Sequence, residues 1–484
     1  MAKKKILLLS DDLRLTSGIA TVSRDMVIGT VKEFDWVQIG AAINHPDKGK
    51  VMDLCEDTKN MTGVDDAYVK IYCNDGYGDS FLLRRLIEIE KPDAILHFTD
   101  PRFWGWLYNM EHEIRQKMPL LYLNIWDGAG LVGDTPTDPM WNKDAYSSCD
   151  LLMAISKQTY GINKRILSRI DEPLPNYRVT YVPHGIDTDM FFPINKEHSD
   201  YENVEKESKK IRGDNSDKFV VMWNNRNIHR KHPGDVVLAY KHMCQMIDKN
   251  GGDAKKDCVL FMHTQPIDPN GTDLVSLVGE LCNEYPVLFD EKVISANHLN
   301  ILYNNADVVV NMASNEGFGL GTAEAISAGT PVVVNVTGGL QDQCGFINPE
   351  TNKYFTEDDY IEIHTLHRKD IWGHLKHGEW VKPVWPSNIS LQGSVPTPYI
   401  FDDRADFRDI GNALYEWYKT PKEERKSAGL KGREFLMDET VGMSRHNMSN
   451  RMIVNFPQSP PHILYNQAFR QKSLFKLRIN ITKY

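Results

Sequence analysis

The feature that most constrains the fold is a recurrence of short, continuous apolar runs separated by helix-length stretches. The runs are residues 6–9, 36–39, 94–96, 120–125, 151–155 and 179–182, then, after a break, 219–223, 259–262, 308–310 and 331–336. A strand that is apolar on both faces is buried on both faces, the condition of a parallel sheet covered by helices. Strands alternating with helical stretches predict βαβ units. Because the pattern starts twice, two doubly wound α/β domains are expected. Between Pro193 and Lys218 the chain is densely charged and almost free of apolar residues, which reads as a solvated linker or surface insertion. The expected division is a first domain over 1–195, a charged linker or insertion over 196–217, a second domain over 218–456 and a basic tail over 457–484.

The length of 484 residues fits two or three domains at roughly 150 residues each. With 41% apolar and 25% charged residues, wholesale disorder is excluded. The 56 basic and 66 acidic residues give a net charge of −10, which argues against a globally basic nucleic-acid binder. The tail 462–484 nevertheless carries Arg470, Lys472, Lys476, Arg478 and Lys483 and no acidic residue. That fits either a solvated tail or a contact to a polyanion. The seven cysteines form no C-x-x-C pair, which excludes a thiol-rich zinc site and argues against a disulfide framework. Reduced thiols, and hence a cytoplasmic location, are the expectation. No apolar run reaches the roughly 18 residues of a membrane-spanning helix. The run behind Lys3, Lys4 and Lys5 is too short for a leader peptide and reads as the first strand. Residues 350–400, rich in aromatics and proline, read as an irregular insertion; helical patterning returns at 406–418 and 421–436.

The most informative stretch is 315–331, between apolar runs at 308–310 and 332–334. Gly317, Gly319 and Gly321 allow a backbone to approach a ligand closely. A helix is expected to start near Ala323, so free N–H groups and the positive end of the helix dipole would face an anion. Glu324 would sit in the first turn, within reach of a ribose hydroxyl. Glu316 would sit at the strand end, where open α/β sheets place their ligands. Glycine spacing alone decides little, because such turns are common in dinucleotide-binding domains.

The full string is more specific. Glu316 and Glu324 stand seven residues apart in the interval, with Gly317-Phe318-Gly319-Leu320 after the first and Ala328-Gly329-Thr330-Pro331-Val332 at the close. It resembles the signature of family-4 retaining glycosyltransferases, the glycogen-synthase-like and sucrose-synthase-like enzymes of the GT-B fold. Four further matches follow in order: Ser17-Gly18-Ile19-Ala20 after the first strand; the string from Pro183-His184-Gly185-Ile186-Asp187 to Phe192-Pro193; Arg226 and Lys231 after the run at 219–223; and Asn304-Asn305-Ala306-Asp307-Val308. The resemblance covers about residues 1–345.

It implies a GT-B fold, two Rossmann-like domains facing across a cleft, and a nucleotide-sugar donor. Departure of the nucleoside diphosphate builds negative charge on phosphate and oxocarbenium character on the sugar. Arg226 and Lys231 would neutralise the former, with Gly18, Gly319, Leu320, Gly321 and Thr322 as further donor-binding residues. Each well-placed donor of this kind contributes about 2.7–4 kcal/mol. Glu316 would orient the donor sugar and Glu324 the ribose. No Asp-x-Asp triplet stands at a strand end near these elements, so neither metal nor another cofactor is required.

The sequence departs from the family where a His–Asp pair is usual near the sugar: here it reads Trp126-Asp127-Gly128. Asp127 is retained, and His97 is an alternative polar group at a neighbouring strand end; Glu316, Asp127 and His97 are the catalytic candidates. His184 is a further imidazole at a strand end. A glycine-rich turn usual in the second domain is replaced by His263-Thr264-Gln265-Pro266. The acceptor stays open. The basic tail admits DNA, as in virus-encoded enzymes that glycosylate hydroxymethylated bases in the host cytoplasm. The alternatives are a glycan or metabolite acceptor, or a non-catalytic nucleotide-sugar binder. The oligomeric state stays open too.

Overall fold

A computed structural model describes residues 3–128, 130–132, 135–170, 178–363, 373–395 and 397–458. The basic stretch 462–484, read as either a solvated tail or a contact to a polyanion, lies outside these residues. Two large sheets organise the chain. The first is built from β1 (Lys4–Asp11), β2 (Phe34–Ala42), β3 (Val51–Asp53), β4 (Val69–Asp75), β5 (Ala94–Phe98) and β6 (Leu120–Asn124). After a short ribbon of β7 (Gly130–Val132) and β8 (Thr135–Thr137), it is completed by β9 (Leu151–Ala154) and β10 (Val179–Tyr181). The spatial order is β10-β9-β6-β5-β1-β2-β4-β3. All neighbours are parallel except β3 and β4.

The second sheet contains β11 (Phe219–Asn224), β12 (Cys258–His263), β13 (Val287–Asp290), β14 (Val308–Asn311), β15 (Val332–Asn335) and β16 (Val381–Val384). Its order is β13-β12-β11-β14-β15-β16, parallel throughout. The runs Ile6, Leu7, Leu8, Leu9 and Val308, Val309, Val310 are almost inaccessible to solvent, as two-sided burial requires. This is the GT-B arrangement that the resemblance implied.

The order reverses direction at β1 in one sheet, with β2 on one side and β5 on the other, and at β11 in the other, between β12 and β14. Loops leaving the carboxyl ends of such neighbours diverge to opposite faces and open a crevice. The glycine loop at Ser17 and the aromatic loop at Arg102 follow β1 and β5. Lys231 and Glu316 follow β11 and β14. Topology alone therefore brings the sequence motifs to the two facing crevices.

Three segments differ from expectation. The charged stretch 196–217 holds the helix Tyr201–Arg212. It docks through Ile211 and Arg212, whose guanidinium bonds the Asn305 carbonyl oxygen (2.8 Å) and Asp307 (3.0 Å). So few anchoring residues leave no apolar periodicity to read. The stretch read as irregular contains β16 and a hairpin of β17 (Asn388–Ser394) and β18 (Thr397–Arg404). Pro383 hides β16, yet it is tolerated because β16 is an edge strand. Finally, the helix Arg445–Gln458 crosses back to the first sheet, where the Phe456 ring lies 5.1 Å from Phe34 and 6.4 Å from Trp36. The expected second-domain range 218–456 thus ends in a helix that packs on the first domain.

At that crossing, Ile186 N–H donates to the Met443 carbonyl and Arg445 N–H to the Ile186 carbonyl, both at 2.8 Å. A Cβ on Gly185 would stand 2.6 Å from Arg445 Cα, which explains the glycine in Pro183-His184-Gly185. Phe456→Ala is expected to cost about 3–5 kcal/mol, read from the midpoint of urea unfolding. A loss below about 1 kcal/mol would show that the returning helix is not anchored there.

Candidate functional site

A cleft of about 700 Å³ lies between the sheets. The first domain lines it with Ser17, Gly18, Asp100, Arg102, Trp126, Asp127 and His184. The second contributes Arg230, Lys231, Glu316, Gly319, Leu320 and Gly321, with Gln392, Ile400 and Asp402 from the β17–β18 hairpin.

Two helix N-termini open into this space. Ser17 caps the helix Gly18–Thr30 by accepting from Ala20 N–H (3.1 Å), and its hydroxyl donates to Asp11 (2.6 Å). The helix Leu320–Ser327 begins after Gly319, whose φ of 93° only glycine adopts freely, and no side chain caps it. A Cβ on Gly18 would meet Leu320 Cδ1 at 3.3 Å, so the two N-terminal ends meet across the cleft. Both direct N–H groups and dipole ends at the same space, the physical requirement for an anion site.

Glu316 is buried beside these ends. The Lys231 ammonium bonds it directly, and the Arg230 guanidinium lies 3.6 Å away. Arg230 also donates to the Asn315 carbonyl oxygen at 2.7 Å. These two cations hold the Glu316 carboxyl below the usual carboxylate range against the opposing pull of burial. The Glu316 backbone is gripped as well. Gly339 N–H donates to its carbonyl (2.8 Å), and a Cβ on Gly338, at φ 48°, would overlap that carbonyl oxygen. Opposite, burial pushes the Asp127 carboxyl up to about 6, while Arg230 opposes the shift. The Asp127 backbone carbonyl accepts from Gln158 (2.5 Å), and Trp126 Nε1 donates to the Gly128 carbonyl (3.0 Å).

Of the residues singled out in the sequence, Gly18, Asp127, Lys231, Glu316, Gly319, Leu320 and Gly321 meet in the cleft. Four do not line it. Arg226 is 65% exposed and turned to Asp268 at 3.0 Å; its neighbour Arg230 takes the place beside Glu316. Thr322 is buried and accepts from Asn311 Nδ2 (3.1 Å). Glu324 sits one turn deeper, accepting from the Tyr303 hydroxyl (2.9 Å), which itself accepts from Asn224 (2.7 Å). Burial pushes the Glu324 carboxyl up to about 7. His97, expected as a catalytic candidate, is a core residue. Its ring nitrogens bond Tyr108 (2.7 Å) and Thr99 (3.0 Å), it stacks on Tyr122, and burial pushes it down to about 3. The sequence reading missed Arg230, although it adjoins Lys231. It also missed Asp402, which accepts from Asn315 (2.5 Å) on a hairpin with no apolar signature.

Outside the cleft, Asp12, His45 and Cys73 bring possible metal-ligand atoms together. Two of the three already have a cationic partner in Arg14, which donates to Asp12 (2.8 Å) and Cys73 (3.2 Å), and His45 Nε2 lies 2.9 Å from Asp12.

Lys231→Met would leave a buried carboxylate without its closest cation and is expected to cost about 3–5 kcal/mol. The double variant Lys231→Met/Glu316→Gln should recover most of that loss in urea unfolding. The pH dependence has a defined sign. Because the folded-state value of Glu316 is depressed, its stabilisation is complete above the unfolded value of about 4.3 and is lost as pH falls through the folded value. The double variant should therefore lose less stability on acidification than the native chain.

Comparison with known proteins bears on the fold and on the segment 226–349. Residues 226–349 match the family described as "Family 4 Glycosyltransferase in conflict systems". No curated protein matches the chain. Among solved structures, HepE from Anabaena in complex with UDP and glucose superposes with a TM-score of 0.59 at 12% identity, covering 94% of this chain and 100% of that one. Sucrose-phosphate synthase from Thermosynechococcus elongatus gives 0.62 at 16% identity, covering 94% and 99%. A glycosyltransferase from Rickettsia africae gives 0.58 at 14%, covering 95% and 99%. The chain therefore has the GT-B fold of these proteins, and the part of it that carries Lys231, Glu316 and Glu324 is similar to family-4 glycosyltransferases.

Proposed function

We propose that the cleft transfers a glycosyl group from a nucleotide sugar to an acceptor hydroxyl, with retention of configuration and without a metal ion. The observation that carries this reading is the meeting of two helix N-termini with Lys231 and Arg230 around one buried carboxylate. Two N-terminal dipoles and two cations supply what a departing nucleoside diphosphate needs as its charge grows. That HepE binds UDP and glucose within the same fold supports the donor class.

Within this reading each residue has a task. The amides of Gly18, Gly319, Leu320 and Gly321 hold the diphosphate, and Lys231 and Arg230 balance its charge. Glu316, fixed by both cations, orients the sugar. Glu324, held by Tyr303 one turn behind the cleft lining, meets the ribose hydroxyls where the bound donor extends past Gly321. Asp127 stands on the acceptor side of the cleft. Attack from the face the leaving group departs lets a phosphate oxygen accept the acceptor's proton, which gives retention.

The family description places matching proteins in conflict systems. That supports keeping a hydroxymethylated DNA base among the acceptors, beside glycans and metabolites. A panel of nucleotide sugars, each incubated with hydroxymethylated DNA, glycans and small alcohols and read by mass spectrometry, identifies the pair. Proton NMR of the first product gives the anomeric outcome; inversion would refute the proposed chemistry. Activity is expected to survive EDTA, and complete loss restored by Mg²⁺ or Mn²⁺ would refute charge balance by Lys231 and Arg230. Glu316→Gln is expected to lower turnover at least about 100-fold, the scale of one well-placed electrostatic group. Circular dichroism should show the fold intact, and near-native turnover would remove Glu316 from the mechanism.

A further inference from the structure

Two imidazoles line the cleft, the exposed His229 and the buried His184, and the buried one is the one whose polar atoms need an account. His184 follows β10, is 5% exposed and lines the cleft. Its Nδ1 is buried without a hydrogen-bond partner. Two aromatic rings clamp it, Phe98 at 5.4 Å and Phe318 at 5.2 Å between centroids. The contrast with His97 is direct: there both nitrogens are bonded within the core, whereas His184 has packing and no polar anchor. A structural histidine of that size would be replaceable by an apolar ring at no loss. Here the polar atoms are kept, buried, at the edge of a ligand-sized space.

The tautomer follows from the surroundings. Burial pushes the ring down to about 3, so it is neutral, with one N–H and one lone pair. A buried N–H without a partner is a rarer orphan than an unused acceptor. The dry Nδ1 therefore carries the lone pair, and the proton sits on Nε2, the ring nitrogen that is not among the buried atoms lacking a partner. A neutral donor held rigidly between two rings has no counter-charge to displace and no rotamer to search.

The position selects the ligand atom. Phe318, packed on the ring, directly precedes Gly319, which opens the helix Leu320–Ser327. The glycine loop at Gly18 meets Leu320 on the other side. His184 thus sits where the two anion-binding N-termini converge. Resting on the nucleotide-sugar reading above, we propose that His184 donates a hydrogen bond from Nε2 to a diphosphate oxygen of the donor. It is a binding residue for the leaving group, additional to the glycine loop, the second helix N-terminus and the two cations.

The test is calorimetric titration of the full chain with UDP, ADP, GDP, CDP and dTDP, and with the nucleoside of whichever binds. His184→Phe keeps the ring and its packing but removes the donor. It should weaken the diphosphate about 10–100-fold, the scale of one hydrogen bond to a charged group, and leave nucleoside affinity unchanged. His184→Asn, which restores a donor, should recover part of the loss. Equal diphosphate affinity in native and His184→Phe chains would overturn this inference while leaving the nucleotide-sugar reading intact. Failure of the native chain to bind any of the five diphosphates would overturn that reading and this inference with it. Nitrogen-15 NMR of the native chain is independent of whether the variants fold. It should show a neutral Nε2–H tautomer whose Nε2 signal moves on adding the diphosphate. An Nδ1–H tautomer, or an Nε2 signal unmoved by bound diphosphate, would overturn the proposal.

Discussion

A carboxylate buried at the end of a central strand must be neutralised or paired, and Glu316 is paired with Lys231 while Arg230 stands close by. The alternative is a desolvated charge costing several kcal/mol. That requirement fixes more than one side chain. Lys231 and Arg230 belong to the loop after β11, and Glu316 to the loop after β14, so the pair ties together the two strand ends that flank the crevice of the second sheet. Gly338 and Gly339 then press on the backbone of Glu316, Gly317 and Phe318 with no room for a Cβ. The loop is thus fixed from its charged side and from behind. The helix after it consequently presents its N-terminus to the cleft.

The first domain meets this arrangement through contacts of a different kind. The Lys157 N–H and the Tyr181 hydroxyl both donate to Asp342, at 3.0 and 2.8 Å. Gln158 accepts from Gly338 N–H (3.0 Å) and from Gln341 (2.7 Å), reaching the glycine pair that supports Glu316. Tyr399 on the hairpin donates to the Asp138 carbonyl (2.7 Å) and stands edge-on to Trp141. These polar bonds add to a buried apolar cluster that runs through both domains, from Phe98, Ile155 and Val182 to Phe318, Leu340 and Met448, and together they hold the crevices face to face. Among the described residues no helix is long and apolar enough to cross a membrane.

What the sequence disclosed follows from how each feature is encoded. Central strands such as β1, β11 and β14 are buried on both faces and announce themselves as apolar runs. Edge strands do not: β16 carries Pro383 and Lys382, and β13 is half exposed along its length. The helix Tyr201–Arg212 is charged on nearly every turn because only its end is buried. Backbone-based parts of the site were legible because glycines mark them. Side-chain directions were not. Arg226 and Arg230 are equally basic and both near β11, and only the fold decides that the second faces Glu316 and the first Asp268. His97 and His184 both follow apolar runs, and only the surrounding hydroxyls of Tyr108 and Thr99 make the former structural.

The central claim is that the two helix N-termini and the Glu316–Lys231 pair form one diphosphate site. The measurement that tests it most directly is a crystal structure of the chain with UDP, or with whichever nucleoside diphosphate binds. The account predicts phosphate oxygens within hydrogen-bond distance of the amides of Gly18 and Leu320 and of the Lys231 ammonium, with the ribose directed toward Glu324. A nucleotide bound elsewhere, or one whose phosphates point to solvent while Glu316 and Lys231 stay closed on each other, would contradict it.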